Sequence, residues 1–123
     1  FVSIHLAPGS RGRVFILDPD EGQPAPAAGG RSDFQGYDAQ SEQQQMLWGT
    51  QQARHAQESG RFGRSMVRAL TGSEDAEPEQ APLAQLKTAD MAAVLVETGL
   101  AVNRGKAAEV IAREIEHFVR EKR

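Results

Sequence analysis

The strongest constraint on this chain is a set of apolar runs too short for buried helices. Phe1-Val2-Ser3-Ile4-His5 leads into Leu6-Ala7-Pro8-Gly9, Arg13-Val14-Phe15-Ile16-Leu17 leads into Asp18-Pro19, and Ala92-Ala93-Val94-Leu95-Val96-Glu97 leads into Thr98-Gly99. Apolar runs of this length, bounded by turn residues, read as buried strands. In open α/β sheets, functional groups collect just beyond the carboxyl ends of such strands. Two of the three runs close on side chains capable of chemistry, the His5 imidazole and the Glu97 carboxylate.

Between and after these runs the periodicity changes to that of helices. From about Ser41, a plausible N-cap, to Leu70, the residues Trp48, His55, Phe62 and Ala69 recur every seven positions, and Met66, Val67 and Leu70 widen the face they form. Gly60 within this stretch predicts a break or bend, and Thr71-Gly72 ends it. A last helix over about 106–121 places Ala108, Ile111, Ile115, Phe118 and Val119 inward, with Glu109/Arg113 and Glu116/Arg120 as i,i+4 pairs outside. Asn103-Arg104-Gly105 reads as a turn before it, and Leu83 to Leu86 as a short turn before the closing strand. The fold class that follows is α/β. Its sheet has strands at about 1–5, 13–17 and 92–97, flanked by helices at about 41–70 and 106–121.

The short Pro/Gly connection after His5 predicts that the strands at 1–5 and 13–17 are neighbours. Residues 18–40, rich in Pro, Gly, Ala and Asp, read as a flexible surface loop. Residues 73–82, with four acidic residues and two prolines, read as an exposed linker. With 123 residues, the chain is one domain or a piece of one. Because Phe1 stands inside what reads as a buried strand, further sequence is expected upstream of it.

A formal net charge of -3 gives no electrostatic case for nucleic acid, whose binders carry a basic stripe. No apolar run approaches the roughly 18 residues of a membrane span. With no Cys, disulfides, thiol nucleophiles and thiolate-ligated zinc are excluded. Ser3, Ser10 and Ser59 lack the elbow motif of a serine hydrolase, and Gly9-Ser10-Arg11-Gly12 and Gly29-Gly30 lack the strand-loop-helix frame of a phosphate loop. Arg61, Arg64 and Arg68 could face an anionic polymer, but a solvated helix face is the simpler reading.

A strand-end His and a strand-end Glu are parts that a metal hydrolase uses. Neutral imidazole is a standard zinc ligand, and a carboxylate outside the metal shell can take a proton from the attacking water. Taken singly, such a His is more often an ordinary hydrogen-bonded residue, and such a Glu is often the first solvated residue after a strand. His55, beside Trp48 and Phe62, and His117, beside Phe118, have no second ligand at i+4 and read as structural or surface groups.

Taken together, the segments resemble a known family. Phe1-Val2-Ser3-Ile4-His5 is similar to the strand bearing the last zinc-binding His of the zinc-dependent N-acetylmuramoyl-L-alanine amidases. Leu86-Lys87-Thr88-Ala89-Asp90-Met91-Ala92-Ala93-Val94-Leu95-Val96-Glu97-Thr98-Gly99 is similar to their closing strand, whose Glu is catalytic. Asn103 fits the Asn that follows it, and Trp48 to Leu70 resembles the intervening helix. The resemblance implies the C-terminal portion of a single amidase domain over residues 1–123, with His5 as a metal ligand and Glu97 as the catalytic residue on adjacent strand ends. It also implies zinc as cofactor, peptidoglycan as substrate and a bacterial cell-envelope location.

The sequence departs from the family in three places. A further zinc-binding His and Glu, both expected upstream of the first strand, are not in this chain; Ala92 stands where the family usually has Pro; and the stretch after Asn103 is short. With one ligand available, the chain alone is expected to bind zinc poorly and to be inactive. The alternative is a metal-free amidase-like module that binds peptidoglycan or regulates a cell-wall hydrolase.

Overall fold

A computed structural model describes residues 1–9, 11–18, 51–87, 89–99 and 104–123. Apart from Asp18, the loop expected over 18–40 lies outside the described residues, as do Ser41, Trp48 and Asn103. The described elements are β1 (Val2–Leu6), β2 (Arg13–Leu17), α1 (Ala56–Thr71), β3 (Glu79–Ala81), α2 (Ala84–Lys87), β4 (Val94–Thr98) and α3 (Arg104–Glu121). The class is α/β, a four-stranded mixed sheet in the order β1-β4-β2-β3 with helices packed on it.

The expectation that β1 and β2 are neighbours is wrong, because β4 lies between them, parallel to β1 and antiparallel to β2. The physical reason is burial. Val94, Leu95 and Val96 close the longest apolar run of the sequence, Met91 to Val96, and take a central position where both faces are covered, with no more than 4% exposure each. β1 stays at the sheet edge, and Ile4 and Leu6 are more than half exposed. Its ladder with β4 extends to Phe1, whose backbone nitrogen donates to the Ala92 carbonyl at 2.7 Å.

A second correction concerns residues 73–82. The expected linker contains β3, which pairs parallel with β2 through Phe15↔Glu79 to Leu17↔Ala81. Three residues of sequence Glu-Gln-Ala between Pro78 and Pro82 carry no apolar alternation, which is why they do not read as a strand. Proline beside a strand is tolerated at an edge, where β3 lies.

Strand alternation gives the sheet two different faces. Val14, Val94 and Val96 turn toward α1 and α3 and pack with Phe62, Met66, Val67 and Ile111. Leu17 and Leu95 turn the other way, onto Ala93 and the Leu86 of α2. His5 and Glu97 belong to this second face, two residues on from Ser3 and Leu95, opposite the long helices.

α1 runs without interruption through Gly60; the expected break lies instead at His55, between helical residues 51–54 and Ala56. The helix stops at Gly72, whose φ of 70° is left-handed and whose N–H donates to the Arg68 carbonyl at 2.8 Å. Gly63 is needed for a different reason. A Cβ there would stand 2.9 Å from Ile16 Cγ2 and 3.1 Å from Pro78 Cβ, both on stiff side chains, so glycine lets the helix approach β2. Gly63→Ala is therefore expected to lower stability by about 1–2 kcal/mol, overpacking outweighing the better helix propensity of Ala. At Gly60 a Cβ meets nothing within 4 Å, and Gly60→Ala is expected to raise stability by up to about 1 kcal/mol. Urea denaturation midpoints of the two variants check both signs.

The inner stripe of α3 is rotated from the one expected. Ala107 and Ile111 are buried and Phe118 stacks on Phe62 at a centroid distance of 4.5 Å, while Ala108, Ile115 and Val119 face outward. Glu114 lies in the stripe because the Ser65 hydroxyl of α1 donates to its carboxylate. Arg104 and Gly105 belong to the helix rather than to a turn before it. Glu116 pairs with Arg120 as expected, whereas Arg113 lies 3.6 Å from Glu114.

Candidate functional site

Register places the two candidate side chains together. β1 and β4 run parallel with His5 opposite Glu97, so both groups emerge on the same face of adjacent strands, with the backbones about 4.8 Å apart. His5 is exposed and the Glu97 side chain is 23% exposed, so both are open to solvent while resting on an ordered sheet.

The sheet adds two residues that the sequence reading did not connect to the site. Because β2 runs antiparallel to β4, its first residue lies at the end where β4 finishes, and Arg13 stands opposite Glu97. Arg13 Nη1 is 3.8 Å from Glu97 Oε1. The other two nitrogens of the guanidinium are committed to β3, Nε to Glu79 Oε1 at 2.8 Å and Nη2 to Glu79 Oε2 at 2.6 Å. Arg13 Cζ also lies 4.8 Å from the centroid of the Phe15 ring. A polar row thus crosses the sheet in the order His5, Glu97, Arg13, Glu79, one residue from each strand. The hydrogen bonds to Arg13 hold the Glu79 carboxyl below its ordinary range, and the same bonds, with the charges of Glu79 and Glu97, raise Arg13 further. The signal for this row is that Arg13 opens its strand while Glu97 closes another, which becomes informative only once β2 is known to be antiparallel.

Behind the site, a buried polar network fixes the approach to β4. Gln52 Nε2 donates to the Met91 carbonyl at 3.0 Å, the Ser59 hydroxyl donates to Gln52 Oε1 at 3.4 Å, and the Ala93 N–H donates to Ser59 Oγ at 3.0 Å. Ser59 therefore has a structural role. His55 is structural as well, its Nε2 3.1 Å from Asp90 and its Nδ1 3.5 Å from Glu58. His117 lies on the surface of α3, 3.3 Å from Glu121. Of the arginines on α1, Arg64 and Arg68 both grip Glu77, and all three line a shallow surface depression with Glu74 and Glu114.

No helix among the described residues is long and apolar enough to cross a membrane. Among them, too, no group of three or more His, Cys, Asp or Glu could hold a metal ion. A catalytic zinc takes three protein ligands and a water, so His5 with its neighbours does not by itself fit that ion.

No family model, curated protein or solved structure matches this chain. The site therefore rests on its own geometry and on the chemistry of its residues.

The ion pairs imply a definite response to acid. Glu77 is held below its ordinary 4.5 by hydrogen bonds from Arg64 and then Arg68, and Glu58 by Lys122 and His55. Carboxyls lowered in the folded state contribute stability that is present above their unfolded value and lost as pH falls through the folded one. Urea midpoints are expected to fall modestly as the pH drops below about 4.5, since the pairs are exposed and each contributes little, with Glu77→Gln flattening part of the slope.

Proposed function

We propose that this chain is the C-terminal portion of a zinc-dependent peptidoglycan amidase, which hydrolyses the amide between N-acetylmuramic acid and L-alanine in cell-wall turnover. The observation that carries the reading is the register pairing of His5 with Glu97 at the carboxyl ends of two parallel strands. The resemblance of both segments to the amidase motifs supplies the substrate, the cofactor and the cell-envelope location.

In this reading the intact protein contributes further zinc ligands from sequence upstream of Phe1, and His5 is the ligand on the sheet. Glu97 is the general base. As water forms its bond to the amide carbon, the carboxylate accepts the proton that the water loses. It then returns that proton to the departing nitrogen as the C–N bond breaks, leaving the free amine of the stem peptide and the lactyl carboxylic acid, which gives up its remaining proton to solvent. Its exposed place at a strand end suits a large polymeric substrate, which cannot enter a closed cavity.

The test is made on the intact protein that carries this sequence. Zinc content after dialysis is expected to fall in His5→Ala and to persist in Glu97→Gln, while release of stem peptides from purified peptidoglycan falls in both. Full zinc occupancy in His5→Ala would remove His5 from the site. A protein that sediments with peptidoglycan but holds no zinc and releases no peptide would favour the metal-free binding module.

A further inference from the structure

We propose that Arg13 is a positioning residue for Glu97 and that Glu79 sets its aim: the clamped guanidinium holds the Glu97 carboxylate in one orientation on the β2 side of β4, at the strand end where His5 also lies. The catalytic meaning of this relay rests on the amidase reading, but its geometry does not. A glutamate at a strand end has three rotatable side-chain bonds and, on an open face, several rotamers within reach. Arg13 restricts that choice. Its Nε and Nη2 are spent on the two oxygens of Glu79, its Cζ lies over the Phe15 ring, and the nitrogen left over, Nη1, is the one 3.8 Å from Glu97. A guanidinium fork can be fixed by one carboxylate while it faces a second, whereas a lysine ammonium, a single point charge on a flexible stem, cannot hold both directions.

Stability does not account for the arrangement. The Arg13 side chain and that of Glu79 are each 49% exposed, and exposed ion pairs contribute little to folding. Its measurable consequence is the orientation of Glu97. Small misplacements of a reacting group are costly to rate, which gives a positioning residue its effect on kcat.

The experiment records side-chain three-bond couplings of Glu97 by NMR in the intact protein and in Arg13→Gln, Arg13→Lys and Glu79→Gln. One dominant χ1 rotamer is expected in the wild type, with averaging in Arg13→Gln and in Glu79→Gln, although Glu79 lies two strands away from β4. Arg13→Lys is expected to average as well. A single retained rotamer in Arg13→Gln overturns the proposal, and averaging in Arg13→Gln without averaging in Glu79→Gln overturns the role of the clamp. In the amidase assay, Arg13→Gln is expected to lower kcat about tenfold at unchanged KM; a wild-type kcat overturns the link to catalysis. The couplings need no activity, so a failure of the amidase reading, seen as undiminished cleavage by Glu97→Gln, is distinct from a failure of the relay.

Discussion

Glu97→Gln in the intact protein is expected to lower kcat for muramoyl amide cleavage by about 10²–10⁴-fold, the range a positioned general base supplies. Gln keeps the length and volume of the side chain but cannot accept a proton. Because the lost interaction belongs to the transition state, kcat and kcat/KM should fall together and KM should hardly change. The fold should not respond, since the side chain is partly exposed at the end of β4 and contributes nothing to either apolar cluster. Steady-state peptide release, read beside the thermal midpoint, separates the two effects. A variant that is slow and less stable would point to a structural glutamate, and one that is neither would strip Glu97 of any part in hydrolysis.

The largest effect on folding is expected from Met66→Ala. Met66 is 0% exposed and packs in the cluster formed by Val14, Phe62, Val94, Val96 and Ile111, where α1 meets the sheet. Truncation removes the transfer free energy of the side chain and leaves a cavity, a cost of about 2–5 kcal/mol. Native domains are stable by only about 5–15 kcal/mol, so the thermal midpoint should drop by roughly 10 °C or more. Met66→Leu, close in volume, should cost less than about 1.5 kcal/mol. If the two variants melted together, the cluster would not be the tightly packed center that its burial indicates.

Legibility of the fold in the sequence followed the strength of the apolar patterns. β2 matches its expected range, and β1 and β4 are each displaced by one or two residues, because runs such as Val94-Leu95-Val96 allow little else. β3 is not legible, because its pairing comes from backbone bonds to β2 and from Arg13–Glu79, which leave no apolar trace. The inner face of α3 is hidden from the apolar pattern because it includes Glu114, whose place there depends on the Ser65 hydroxyl of α1. The placement of His5 and Glu97 near strand ends is legible because each ends an apolar run. That of Arg13 and Glu79 is not, since their relation depends on strand order and direction, which local patterns do not encode.

The parallel pairing of β1 with β4 also has a kinetic side. The bond from Phe1 to Ala92 joins residues 91 apart in sequence, and closing a loop of that length costs about 4 kcal/mol of chain entropy. Helices and local turns can form before that closure, but His5 and Glu97 cannot meet until it is complete. The pair therefore exists only where that closure is made, and a chain in which β1 has not docked on β4 carries both groups with nothing to bring them together.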